Sequence, residues 1–344
     1  MKKVNAVKTI FIVLIFFLPG ILSAQGVCRR ADFSKGPLFG KNLFIPYLIH
    51  YTFPSLPARS GQRYDLQYHF SLYYVNDFHS IRRTSVIRDY ESSVFEWGVR
   101  YNLYDELQLG VTMRIISFFG GFLDPIIEGF HNFFGLPNGN RAFVLHNQLF
   151  INIPNSNGIA LYLDEPTTSF GDIDLWAKWT FWENRQISLA LLGAFKIPTG
   201  RLSALSGSGY PDIGLGLLFD YRFLRHFTFY TQAGVVLPFN GKSYPMFNGL
   251  VAFEMHPFRR LSFILQMNIK TSPISDGFLY IIEGEPPIRL NHYSKPQTNI
   301  LAGAILRHKN FSWQFYIEQD TIFHQGADIT FNLMFSHTIN LRNR

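Results

Sequence analysis

The chain reads as a transmembrane antiparallel β-barrel of about 14 strands, with 12 as the alternative count and a short helix in an outer loop. Three observations predict this. Apolar and polar residues alternate with period two along most of its length: Phe331, Leu333 and Phe335 fall on one face of the last segment, and Thr330, Asn332 and Ser336 on the other. Short polar turns alternate with longer loops, as in outer-membrane barrels. Aromatic residues make up 17% of the chain and charged residues only 16%. A soluble domain averages about 25% charged, whereas a barrel needs an apolar outer band and aromatic girdles. The mean hydropathy of +0.05 is what outward apolar and inward polar residues average to.

The first element is a leader. Lys2, Lys3 and Lys8 form a basic region, Ile10 to Leu18 an apolar one, and Leu22-Ser23-Ala24 a cleavage site, so residues 1–24 read as a cleaved signal peptide. The apolar run is short for the roughly 20 residues of a spanning helix. Export and insertion as a barrel place the protein in the cell outer membrane. Residues 25–61, rich in Pro, Gly and aromatics, read as an N-terminal periplasmic or plug-like segment, and 62–344 as the barrel. Leu43 to Thr52 has some strand character, but Pro46 argues against a central strand.

Regular strands begin near Tyr64. Hairpins with short turns follow around Tyr104-Asp105-Glu106, Glu183-Asn184-Arg185, Leu224-Arg225-His226, Pro257-Phe258-Arg259 and Lys309-Asn310. The longer connections are 77–88, 118–142, 164–170, 198–210, 238–244, 271–296 and 320–327. Fourteen strands require Ile159 to Leu163 to pair through Asn155-Ser156-Asn157-Gly158 with the strand ending at Ile153; if that piece lies inside the barrel, the count is 12. With the N-terminus in the periplasm, the short turns are periplasmic and the long loops face outward.

Asp124 to Leu136 predicts a helix. Asp124 and Pro125 suit its first turn. Ile126, Ile127, Phe130, Phe133 and Phe134 form an apolar face, and Asp124, Glu128 and His131 a polar one. Carboxylates and imidazole could ligate a metal, but this spacing recurs on any amphipathic helix, and the reading is no metal and no cofactor. The polar face is expected to meet lumen charges or Arg141. Asp172, Asp174 and Lys178 fall on the inward phase of their strand. Asp124, Glu128, His131, Arg141, Asp172, Asp174 and Lys178 are therefore the candidate gating or lumen-facing residues.

The segments Gly36-Pro37-Leu38, Lys41-Asn42, Gly121-Phe122-Leu123-Asp124, Ile127-Glu128, Phe130-His131, Gly135-Leu136-Pro137, Arg141 and Gly171-Asp172-Ile173 resemble a family of uncharacterised Gram-negative outer-membrane proteins, known only as a domain of unknown function. The resemblance covers most of the mature chain. It implies a barrel and brings no activity with it.

No enzyme is expected. Ser156-Asn157-Gly158 with His146 upstream invites comparison with outer-membrane phospholipases, but the serine string reads as a turn and no base–nucleophile pair shares a strand. The formal charge is +7, which loss of the three leader lysines reduces to +4; the cations are scattered, with no nucleic-acid stripe. The single cysteine excludes an internal disulfide. The expected partners are outer-membrane lipid and a small or apolar solute, with the protein a monomer. The leading expectation is a channel or transporter-like barrel for an unknown solute; the alternatives are a structural or adhesive surface barrel and, after it, a lipid-modifying enzyme.

Overall fold

A computed structural model describes residues 34–41, 43, 45–80, 87–135, 145–153, 161–274, 279–280, 288–289, 295–321 and 329–343. The chain forms β1 (Asp65–Ser80), β2 (Ile87–Asn102), β3 (Leu107–Phe119), α1 (Asp124–Phe134), β4 (Phe150–Ile153), β5 (Leu161–Leu163), β6 (Thr167–Phe170), β7 (Ile173–Glu183), β8 (Ile187–Ile197), β9 (Asp212–Leu224), β10 (Phe227–Pro238), β11 (Met246–Met255), β12 (Leu261–Lys270), β13 (Leu279–Tyr280), β14 (Ile288–Arg289), β15 (Gln297–His308), β16 (Phe311–Asp320) and β17 (Ile329–Asn340).

Twelve of these close a barrel. β1, β2, β3, β7 to β12 and β15 to β17 pair in sequence as antiparallel neighbours, and β1 closes on β17 from Asp65↔Asn340 to Asn76↔Ile329. Closure leaves no open sheet edge in the wall. The expectation of 14 strands is thus corrected to the alternative of 12, and the reason is length. Wall strands have 10 to 16 residues, enough for the 9–11 residues of a tilted crossing. β4, β5 and β6 have 3 or 4, which at about 3.3 Å per residue reach only ~10–13 Å. β4 and β5 do pair with each other, but β4 meets only Ile87–Asp89 at the long-loop end of β2. They extend the rim and do not cross the wall. The loop expected over 77–88 is also shorter, because β1 and β2 continue as a paired ribbon to Ser80↔Ile87.

The alternation places apolar side chains outward: Leu215, Leu217, Leu265 and Leu333 are each more than half exposed. Outward rings cluster at the short-turn end, as in Phe223 with Phe227 and Phe311 with Trp313. The inward face carries the charge, with Glu96, Asp174, Lys196, Asp212 and Glu254 fully or almost fully buried.

What buries them is residues 34–60. This inner segment enters at the short-turn end, where Lys35 N–H donates to Glu254 at the end of β11. It rises to the long-loop end, where Arg88 at the start of β2 donates to Ile45 O. It turns there through the buried residues Tyr47, Leu48 and Ile49 and descends, so that Ala58 N–H reaches Asp220 and Ser60 N–H reaches Glu183. None of the described residues of 43–52 is therefore in a strand. Leu38, Ile45, Leu48 and Ile49 share one cluster with inward residues of the wall such as Tyr73, Tyr90, Leu301 and Tyr316.

Candidate functional site: the filled lumen

An unpaired peptide inside a barrel must have its backbone N–H and C=O groups satisfied by something other than a sheet ladder. The wall's inward polar side chains do this. Glu254 accepts from Lys35 N–H at 2.8 Å, Asp212 from Tyr51 N–H at 2.7 Å, and Asp220 from Ala58 and Arg59 N–H at 2.9 and 3.1 Å. Gln314 takes both groups of one residue: its Oε1 accepts from Phe39 N–H at 2.8 Å and its Nε2 donates to Phe39 O at 3.0 Å. Wall lysines serve the carbonyls. Lys178 Nζ donates to Pro57 O and Arg59 O, each at 2.8 Å, Lys196 Nζ to Ile49 O at 2.9 Å, and Lys270 Nζ to Tyr51 O at 3.1 Å.

Charged side chains of the inner segment also cross to the wall: Lys35 Nζ donates to Ser262 Oγ at 2.9 Å, and Lys41 reaches two carboxylates. Lys41 Nζ lies 2.9 Å from both Glu96 and Asp174 and 3.2 Å from Thr112 Oγ1, with its side chain only 1% exposed. Asp174 also holds Arg114, and Glu96 has His69 at 3.7 Å. Charges taken so far from water persist only when paired, so this node fixes the height of the segment. Nearer the long loops, Lys196 binds Asp172 at 2.6 Å, and Asp172 accepts from Gly200 N–H at 2.8 Å. His50 Nδ1 sits 3.4 Å from Asp212; burial holds its pKa below the ordinary histidine value, against the opposing pull of Asp212.

Packing supplies a second key. Phe53 lies against Gly214 and Gly216 of β9 and Gly234 of β10, and a Cβ at Gly214 would come within 2.8 Å of its ring. These glycines leave a recess in the inner wall that a single aromatic ring fills.

Of the candidate residues, Asp172, Asp174 and Lys178 lie in the interior and are bonded as described. Asp124 and Glu128 do not join them. Asp124 Oδ2 accepts from Asn147 N–H at 2.7 Å, and Glu128 pairs with His146 at 3.1 Å. The turn before α1 is anchored by Phe122 and Leu123 N–H donating to Glu91 at 2.9 and 2.6 Å, and by the Phe122 ring against Tyr74. Tyr74 shares the outward phase of Phe70 and Leu72, and Glu91 that of Phe95 and Val99. The start of α1 thus rests on the outer side of the wall, with Ile126 and Phe133 exposed, and the expectation that its polar face meets lumen charges is corrected for Asp124 and Glu128. The side chain of His131 and all of Arg141 fall outside the described residues, as does the Ser156-Asn157-Gly158 turn. Among the described residues no group of three or more His, Cys, Asp or Glu is arranged to hold a metal ion.

Sequence reasoning missed Lys41, Glu96, Arg114, Asp212, Glu254 and Gln314. The wall members all stand on the inward phase of their strands, which is a readable signal. Lys41 carries none, because nothing local tells a buried lysine in an irregular segment from an exposed one.

The fold has known counterparts. An outer-membrane channel from Pseudomonas putida F1 aligns at 10% identity and a TM-score of 0.52, over 86% of this chain and all of that one. The NanC porin aligns at 6% identity and 0.43, over 79% and 98%, and the CymD monoaromatic hydrocarbon channel at 9% and 0.36, over 82% and 89%. At such identity the first likeness shows the fold alone. No match is found among curated proteins. A family model described as a protein of unknown function (DUF3187) matches residues 54–339.

Proposed function

We propose that this chain, which belongs to the DUF3187 family of proteins of unknown function, is an outer-membrane channel held closed at rest by its own residues 34–60. The leader, residues 1–24, is removed on export. The barrel inserts as a monomer with short turns toward the periplasm, and the inner segment is a plug that enters and leaves from that side. Gating belongs to this plug and not to α1.

The observation that carries the reading is how the plug is held. Its backbone is bonded by side chains of the wall and not by a β-ladder. Such contacts can be broken and remade without opening the barrel, whereas adding the plug to the sheet would have made it part of the wall. The apolar outer band supports insertion in lipid, since so much exposed Leu and Phe is unfavourable in water.

A static surface barrel is the second reading, favoured by the number of buried bonds that hold the inner segment to the wall. Reconstitution in planar bilayers separates the two. A variant lacking residues 34–57, shown to be folded by heat-modifiable migration, should conduct far more than the full chain. A folded variant that still does not conduct would sink the channel and leave the static barrel.

A further inference from the structure

At the short-turn end, the plug does not fill the lumen. A cavity of about 210 Å³ remains between Lys35–Phe39, Ser55–Gly61 and the inner faces of β1, β2, β3, β7 and β15 to β17. That is many times the ~10–15 Å³ that one water requires. Five cationic side chains line it, Lys35, Arg59, Arg100, Lys178 and Arg307, and no carboxylate does among the described residues. Acids near the cavity are engaged elsewhere: Asp220 with Ala58 and Arg59 N–H, Glu254 with Lys35 N–H, Glu183 with Ser60 N–H, and Glu96, whose charge acts on Arg100 from the same strand, with Lys41. Phe39, Ile305 and Met334 add apolar surface.

Arg100 is the member with unused capacity. Its guanidinium lies 4.3 Å over the Phe39 ring, and Nη1 reaches Gln67 at 3.4 Å. Its Nε and Nη2 are buried and make no hydrogen bond. A buried donor left unpaired costs free energy, and the Nε–Nη2 edge is the one that takes an oxyanion with two parallel bonds.

We infer that this cavity is a binding site for a small organic anion, a carboxylate or phosphate carried on a compact apolar body, with Arg100 as its principal ligand. The plug builds one side of the site and the barrel the other, so a bound anion touches both. The inference deepens the channel reading by giving the solute a charge, and rests on that reading for transport alone. The apolar solute expected from the aromatic helix gives way here to an anionic one, because the start of that helix rests outside the lumen.

The test is calorimetric titration of the full chain in detergent with benzoate and with inorganic phosphate, and with benzylamine as a cationic control of similar shape. Benzoate or phosphate should bind and benzylamine should not. Arg100→Gln, verified as folded by heat-modifiable migration, should weaken the anion by about tenfold or more, the scale of a lost charged hydrogen bond, and Arg100→Lys by less. Should Arg100→Gln fail to fold, Arg307→Gln on β15, which lines the same cavity, should weaken binding in the same direction. Absence of anion binding to the natural chain, equal binding of benzylamine, or undiminished binding by a folded Arg100→Gln would overturn the site. Binding without conductance in the plug-deleted barrel would leave the site standing and remove the channel; conductance without binding would do the reverse.

Discussion

Replacing Lys41 by methionine removes the cation that ties the plug to the middle of the wall while keeping an apolar stem of similar length. Glu96 and Asp174, each 2.9 Å from the ammonium and both fully buried, lose it together. Asp174 keeps Arg114, but Glu96 is left with His69 at 3.7 Å and the longer-range charges of Arg114 and Arg100. Removing one partner of a buried ion pair costs about 3–5 kcal/mol. Lys41 takes no part in the strand ladder, so the cost falls on plug docking and not on the barrel. At a factor of ten per 1.4 kcal/mol, the undocked population should rise by roughly two to four orders of magnitude. Two assays read this: tryptic cleavage after Lys35 or Arg59 of the folded protein in detergent, and open-state events in planar bilayers. Both should increase in Lys41→Met. Adding Glu96→Gln should restore much of the closure, because the orphaned charge is then gone. A folded Lys41→Met barrel with the protease resistance and conductance of the natural chain would refute the claim that this node holds the plug.

Leu265, more than half exposed in the middle of β12, should cost about 2–4 kcal/mol when changed to Arg if it faces the bilayer midplane; refolding into lipid vesicles measures this, and a neutral result would remove the outer apolar band. Gly214→Val should loosen the plug by about 1–3 kcal/mol through overpacking against Phe53, with Phe53→Ala restoring the fit; protease access that stays unchanged in the single variant would contradict the recess. Acid should also loosen the plug. His50 is held neutral by burial while docked, whereas an undocked His50 titrates near its ordinary 6.5, so docking weakens as pH falls below about that value. Conductance rising between pH 7 and 5 in the natural chain, and rising less in His50→Gln, is the expected result; an equal rise in both would assign the effect to other groups.

By itself, the sequence determined the barrel, the positions of its hairpin turns, the start of α1 at Asp124 and the inward phase of Asp174 and Lys178. All of these follow from local rules: side chains alternate along a strand, tight turns need polar residues, and an aspartate before proline suits a helix start. The strand count lay one step further off. Phe150–Ile153 and Leu161–Leu163 look like strands in sequence and are strands in space, but whether a short strand crosses a wall depends on its partners and length, and β4 found only the long-loop end of β2. The side on which α1 sits was undetermined for a related reason. Its two-faced pattern fits a lumen or an outer rim equally well, and Tyr74 and Glu91, more than 30 residues before it, decided the matter. What occupies the lumen was decided by tertiary structure alone. Inward polar residues carry the same period-two pattern whether they face water or a peptide, so Asp212, Asp220, Glu254 and Gln314 read identically in an open pore and in a filled one. Only the long-range approach of residues 34–60, which have no periodicity of their own, turned them from a pore lining into the hydrogen-bond partners of a buried backbone.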